Sequence, residues 1–267
     1  MTDHLVPPHL AIDENLRTAM RFFGEATEAG EVVALPGSVA IYCGINYGVF
    51  NISLLDGPLT GGADSFDYRM GQIAAYFKER TNNWSFWLCE DLLNRPEQRH
   101  ADQLLHRLGL RAISHPPGMI ATQILPPLKP LPAVELRAVT NVQTRQAFGD
   151  LTALCFEIPM GIAQRVYVPE QAWHGAYKGY VAYANGQPVS MVASVVTAGT
   201  LGIYSLGTHP NFRRKGYGEA AMRATIDAVT RAAKIERFVL QSTDAGHAIY
   251  RRMGFRDATR FTVYLTK

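Results

Sequence analysis

Four prolines crowd the stretch Leu125-Pro126-Pro127-Leu128-Lys129-Pro130-Leu131-Pro132, and no regular element can run through it. Each proline fixes φ and lacks the amide hydrogen that a helix or a central strand needs. Residues 126–132 are therefore expected as an extended linker. The chain has 267 residues, above the usual size of one compact domain. The seam predicts two domains, 1–125 and 133–267.

Composition narrows the class. Hydrophobic residues make up 47% and charged residues 18%, which suits a globular chain with a sizeable core. A mean hydropathy of -0.05, with no long unbroken apolar run, argues against a membrane span. The start MTDHLVPPHL lacks the basic segment and apolar run of a secretory signal. Cys43, Cys89 and Cys155 are odd in number, far apart and set in apolar runs, so they offer neither a disulfide framework nor metal spacing. Buried reduced thiols, a cytoplasmic location and no metal are expected. The net charge of +3 is too mild to mark a nucleic-acid binder. Its placement matters more, because Arg213, Arg214 and Lys215 form one tight cluster.

Hydrophobic periodicity divides the first half into a helix over Glu14–Thr27 with an acidic first turn, strands over Val39–Cys43 and Tyr47–Leu54, and a helix over Ser65–Arg80 capped by Asp64. A strand at Trp84–Cys89, a helix at Glu97–Leu108 stopped by Gly109, and a strand at Met119–Leu125 follow. After the linker come a strand at Val134–Val139, a helix at Asn141–Cys155 and a short helix near Pro169–His174. Strands Lys178–Ala184 and Pro188–Val196 flank Asn185-Gly186, a strong hairpin signal. A strand at Leu201–Thr208, a helix at Tyr217–Ala233, a strand at Phe238–Ser242, a helix at His247–Arg252 and a strand at Phe261–Leu265 complete the chain. The fold class is α+β, a mixed, mostly antiparallel sheet flanked by helices. The order of elements repeats from one half to the other.

The run from Ile203 to Gly218 sets an Arg-x-x-Gly-x-Gly turn between a strand and a helix. Unpaired amides and the helix dipole make such a helix start an anion site, and glycines let a phosphate approach. Arg213, Arg214 and Lys215 add charge-assisted donors. The turn is neither a Rossmann fingerprint, which needs a third glycine, nor a Walker loop, which needs Gly-Lys-Ser/Thr. Taken alone it fits a phosphate site or a plain surface turn.

A second block, Asp244 to Phe255, contains Tyr250-Arg251-Arg252-Met253-Gly254-Phe255. Together the blocks strongly resemble the GNAT superfamily of N-acetyltransferases. That family carries a Val/Leu-x-x-x-Pro-x-x-Arg-x-x-Gly-x-Gly segment and, after a helix and a strand, a Tyr-x-x-x-Gly-Phe ending. The resemblance is specific over residues 200–257 and extends over 133–267.

The resemblance implies two GNAT-like domains in tandem, the first degenerate and without the cofactor turn. It also implies an acetyl-CoA co-substrate, with Leu206, Gly207 and Thr208 pairing with the pantetheine amides. Arg213, Arg214, Lys215, Gly216, Tyr217 and Gly218 would hold the pyrophosphate. Tyr250 matches the family tyrosine that protonates the leaving thiolate, although a packed aromatic on an amphipathic helix also explains it. The expected acceptor is a small-molecule amine, with a protein or peptide amine, or a non-catalytic acyl-CoA sensor, as alternatives. Glu157 is a candidate base or ammonium-binding group, beside a water relay through Tyr204 and Ser205, or His209 or His247. Thr243-Asp244 stands where the family often has asparagine. In the first half, Gly57–Asp64 has glycines but no Arg-x-x-Gly-x-Gly, Asp56, Asp64 and Asp67 would repel phosphate, and Leu105 replaces the tyrosine.

Overall fold

The protein, seen in a computed structural model, is described over residues 6–81, 83–232 and 234–266. Met1–Leu5 and Ala233, the expected helix end, lie outside the described residues. The first half runs α1 (Pro8–Glu25), β1 (Glu31–Leu35), β2 (Ser38–Tyr42), β3 (Ile52–Leu55), α2 (Phe66–Lys78), β4 (Ser85–Cys89), α3 (Arg95–Arg107), β5 (Leu110–Ser114) and β6 (Pro117–Ala121). The second runs β7 (Glu135–Ala138), α4 (Val142–Phe156), α5 (Met160–Tyr167), β8 (Lys178–Ala184), β9 (Gln187–Thr197), β10 (Thr200–Thr208), α6 (Tyr217–Ala232), β11 (Phe238–Gln241), α7 (Asp244–Arg252) and β12 (Arg256–Thr266).

Several elements depart from the sequence expectation for identifiable reasons. Helix α1 begins at Pro8, because proline in the first turn fixes φ and loses no helical bond. The acidic Glu14 is therefore mid-helix. Ser65, not Asp64, caps α2 by accepting from the Tyr68 amide, and Asp64 is instead bound to Arg69. The unexpected β1 pairs with β2 through a two-residue Pro36-Gly37 turn, with Gly37 at φ 66. Strand β3 is confined to Ile52–Leu55 because Tyr47–Phe50 closes a turn. Strand β5 and helix α5 had no clear signal, and the short helix near Pro169 is a single 3-10 turn at Gln171–Trp173. The Asn185-Gly186 hairpin forms as expected, with both residues at positive φ.

All strands join one sheet, in the order β1-β2-β3-β4-β12-β6-β11-β10-β9-β8-β7, with β5 also on β12. Each half has the same internal logic. A run of antiparallel strands, β1–β3 in the first half and β7–β10 in the second, leads through a helix to a parallel partner, β3 beside β4 and β10 beside β11. The next strand is then taken from the other half. Strand β6 pairs with β11, and Phe261–Leu265 of β12 pair with β4. The start of β12 runs back along β6, and its end lies along β5. The sheet thus continues across the proline-rich segment, and the two halves exchange their closing strands.

Helix α1 fastens the exchange. Its apolar face buries Ile12, Leu16, Ala19, Phe22 and Phe23. Phe22 stacks on Tyr167 and packs edge-on to Trp173, both of the second half. Asn15 is fully buried, and its Nδ2 donates to the Thr200 hydroxyl at 2.8 Å and to the carbonyls of Val195 and Thr200. Its Oδ1 accepts from the Tyr204 hydroxyl at 2.6 Å. A Cβ on Gly202 would stand 1.9 Å from that oxygen, so only glycine admits the amide. Asn15→Ala strands several buried polar groups and should cost roughly 1–3 kcal/mol in urea unfolding; an unchanged midpoint would refute the role.

Asp13, two residues before Asn15, is buried and pairs with Arg17. Burial pushes its carboxyl up to about 7 from 3.8, against the opposing pull of Arg17. The folded chain therefore keeps a proton that the unfolded chain releases above its ordinary value. This contribution is fully present below about pH 4 and is lost as pH rises through about 7, by up to roughly 4 kcal/mol. Asp13→Asn is neutral throughout, so wild-type stability should fall relative to the variant between pH 4 and 7.5. A difference that stays constant with pH would contradict the assignment.

Candidate active site

The site begins where two strands part. β10 and β11 pair only at Leu201–Phe238 and Gly202–Val239. Beyond that point β11 stays with β6 while β10 stays with β9. The β9–β10 register then shifts between Tyr204 and Gly207, with Ser205 at φ 45. Ser205 and Leu206 have no register partner on either neighbouring strand. An extended ligand with amide groups can add itself to a backbone edge of this kind. The expected pantetheine contacts Leu206, Gly207 and Thr208 all lie beyond the last pairing with β11, Gly207 and Thr208 being paired on the β9 side with Met191 and Ser190. The Gly207 carbonyl also accepts from the Ser190 hydroxyl at 2.6 Å.

Strand β10 leads through His209–Gly216 into α6. The first bond of that helix runs from the Ala220 amide to the Gly216 carbonyl, so the amides of Tyr217, Gly218 and Glu219 precede it. Gly216 adopts φ 88, and its missing Cβ leaves room for Pro132, whose Cδ would be 3.0 Å away. A Cβ on Gly218 would meet the Thr208 hydroxyl at 2.8 Å. Both glycines thus serve close packing as well as access.

A cavity of about 480 Å³ lies beside this turn, with Pro126 and Leu128–Leu131 along one wall and Arg214, Lys215, Gly216, Glu219, Arg223 and Arg252 along the other. Glu219 is bound to Arg223. Arg214, Lys215, Lys129 and Arg252 remain as a strongly positive lining. Arg213 does not line it, because its guanidinium braces the carbonyls of Thr208 and Cys155. Sequence reasoning missed Lys129, Arg223 and Arg252. Nothing in the linker's composition reveals that it folds back onto the turn.

A second cavity of about 260 Å³ sits against the diverging strands. Ile203, Tyr204, Ser205 and Leu206 of β10, Gln241 of β11, Thr243 and Tyr250 line it from the second half, with Phe156 and Tyr177. Leu16, Ala19, Met20, Phe23 and Trp87 line it from the first. Burial pushes the Tyr250 phenol up to about 12, so it holds its proton at neutral pH. The Tyr177 and Ser205 hydroxyls bond each other at 2.7 Å, and Gln241 Nε2 is buried with no partner. Glu157 is exposed at the left-handed C-cap of α4 and does not line this cavity, although its neighbour Phe156 does. His209 caps the turn after β10 and His247 is bound to Asp257, and neither lines the cavity. Thr243 caps α7. Among the described residues no cluster of His, Cys, Asp and Glu is arranged to hold a metal ion. None of the described helices is long and apolar enough to cross a membrane.

The matching loop of the first half is built with the opposite polarity. Arg69, 3% exposed, donates to the carbonyls of Gly37, Gly57 and Pro58 and to Asp64. The loop before α2 therefore turns oxygens inward around its own cation, where the loop before α6 offers amides with Arg214 and with Lys215, whose Nζ also donates to the Asn211 carbonyl. Nor does the strand pair open, since Ile52, Ser53 and Leu54 of the four-residue β3 all pair with β4.

Comparison with known proteins agrees with this geometry. Residues 146–255 match the family model described as "Acetyltransferase (GNAT) family". No curated protein matches the chain in sequence. Among solved structures, a GCN5-related N-acetyltransferase from Kribbella flavida is 18% identical, with a TM-score of 0.69 over 98% of this chain and 96% of that one. A functionally unknown conserved protein from Staphylococcus epidermidis is 13% identical, with a TM-score of 0.59 over 88% and 92%. A GNAT-family acetyltransferase described as putative, from Novosphingobium aromaticivorans, is 17% identical, with a TM-score of 0.53 over 93% and 95%. At these identities the structures speak for the fold, which spans nearly the whole chain, while the family match falls on the half that holds the open strand pair and the basic turn. Over residues 146–255 this chain is similar to the GNAT acetyltransferase family.

Proposed function

We propose that the protein transfers an acetyl group from acetyl-CoA to the amine of a small molecule, and that only the second half binds the coenzyme. The observation that carries this reading is a basic cavity at the turn that follows β10 together with an apolar cavity against the diverging β10 and β11. Arg214, Lys215, Lys129 and Arg252, with the first amides of α6, suit the phosphates of coenzyme A. Ser205 and Leu206 suit its pantetheine amides. Acetyl-CoA supplies the thioester carbonyl at which the amine nitrogen forms its new bond as the carbon–sulfur bond breaks. Tyr250 keeps its proton until the thiolate develops and then gives it to sulfur.

The proton of the incoming amine needs a different route. None of the described lining residues of the inner cavity is a carboxylate or an imidazole, and Glu157 stands outside it. An apolar wall disfavours an ammonium and so favours the neutral, nucleophilic form. The Tyr177–Ser205 hydroxyl pair can pass the released proton to water. The small volume of the cavity, about 260 Å³, favours a small molecule over a peptide chain. Beyond that, the two-domain division at 126–132 is best kept as a division of labour, with the first half supplying a wall of the cavity.

Two measurements test this reading. Tyr250→Phe should lower kcat by roughly 100-fold or more while the Kd for acetyl-CoA stays nearly constant; an equal loss of affinity would remove the acid assignment. Acetyl-dephospho-CoA should bind at least roughly tenfold more weakly than acetyl-CoA, and Lys129→Ala should shrink that difference. Equal affinity of the two thioesters would move the 3′-phosphate out of the basic cavity.

A further inference from the structure

The inner cavity carries information about the acceptor. Its wall from the first half is Leu16, Ala19, Met20 and Phe23 of α1 with Trp87 of β4, all uncharged. Phe156, Tyr177, Tyr204 and Tyr250 close it on the other side, so six of its described lining residues are aromatic. No lysine, arginine, histidine or carboxylate is among them.

The polar atoms that remain are neutral, and most are already engaged. The Tyr204 hydroxyl donates to Asn15, and Tyr177 and Ser205 bond each other. Gln241 Nε2 is buried and free, but it is a donor and can hold an oxygen rather than an ammonium. Asp13, a buried carboxyl on α1, is paired with Arg17 and is not among the lining residues, although it lies near enough to Tyr204 to raise that phenol. A substrate bearing a second fixed charge would have to bury it here unpaired, which is strongly disfavoured. At about 260 Å³ the space is also smaller than the roughly 300–1,000 Å³ of drug-sized sites.

We propose that the acceptor is a monoamine carried on a small, uncharged, ring-sized apolar body, and that α1 and Trp87 of the first half impose this choice. The proposal rests on the acetyl-transfer reading of the same cavity. The first half then recognises the acceptor's body, while the second half holds the thioester. Polyamines, amino acids and aminoglycosides are excluded by their extra charges.

The test uses the full chain and three small amines that differ in charge, with thiol release from acetyl-CoA as the readout. These are 2-phenylethylamine, L-phenylalanine, which adds a carboxylate to the same body, and 1,4-diaminobutane, which adds a second ammonium. Expected is a kcat/KM for 2-phenylethylamine roughly 100-fold or more above either charged probe. Met20→Glu, which sets a carboxylate in the α1 wall, should narrow the gap to 1,4-diaminobutane by at least roughly tenfold, with the Kd for acetyl-CoA unchanged. A charged probe turned over as well as 2-phenylethylamine, or better, overturns the acceptor class and leaves acetyl transfer standing. Tight acetyl-CoA binding with no thiol release for any probe or for a wider amine panel defeats the transfer reading itself. If Met20→Glu fails to fold, the wild-type ratios alone decide the matter.

Discussion

The side-chain amide of Asn15 holds the point at which the sheet opens. It is seated against Gly202, the last residue of β10 that pairs with β11, and it bonds the β9–β10 turn on one side and Tyr204 on the other. A buried amide with all its bonds made fixes one geometry, because any shift strands several polar groups together. Here that geometry places a helix of the first half over a strand of the second. The opening between β10 and β11, the bulge at Ser205 and the apolar wall over both are consequences of where α1 sits.

Exchange of closing strands makes the two halves one object. β12 lies beside β4 and β6 beside β11, so neither half completes its sheet alone. The shared core follows, with Phe22 of α1 stacked among Tyr167, Trp173 and Tyr177. The repetition of strand order in the two halves then sets their differences in relief. At the start of α6 the chain offers amides, Arg214 and Lys215. At the start of α2 the corresponding space is filled by Arg69 and ringed by carbonyls. One loop suits an anion, and the other has consumed its own cation.

Much of this was legible in the residues. The glycine-rich turn before α6, the Asn185-Gly186 hairpin and the Tyr250 block carry local signals strong enough to survive tertiary context. The sequence shows that Gly57–Asp64 lacks an Arg-x-x-Gly-x-Gly turn, but nothing in that loop foretells that Arg69 would fill it. What was illegible is non-local. The strand expected at Met119–Leu125 is instead β6, which opens at Pro117 in the middle of the sheet, with β11 and β12 on its two sides. The linker's role as a wall of the basic cavity depends on its packing over Gly216, which no window of sequence contains. Arg213 belongs to the motif but spends its donors on the Thr208 and Cys155 carbonyls, and Glu157 stays in solvent.

The central claim is a single coenzyme site per chain, confined to the turn before α6. Calorimetric titration of the full chain with acetyl-CoA tests it most directly. One molecule should bind per chain, and Gly216→Val, strained at φ 88 and crowded by Pro132, should abolish binding. Two molecules per chain, or binding that survives the substitution, would contradict the account.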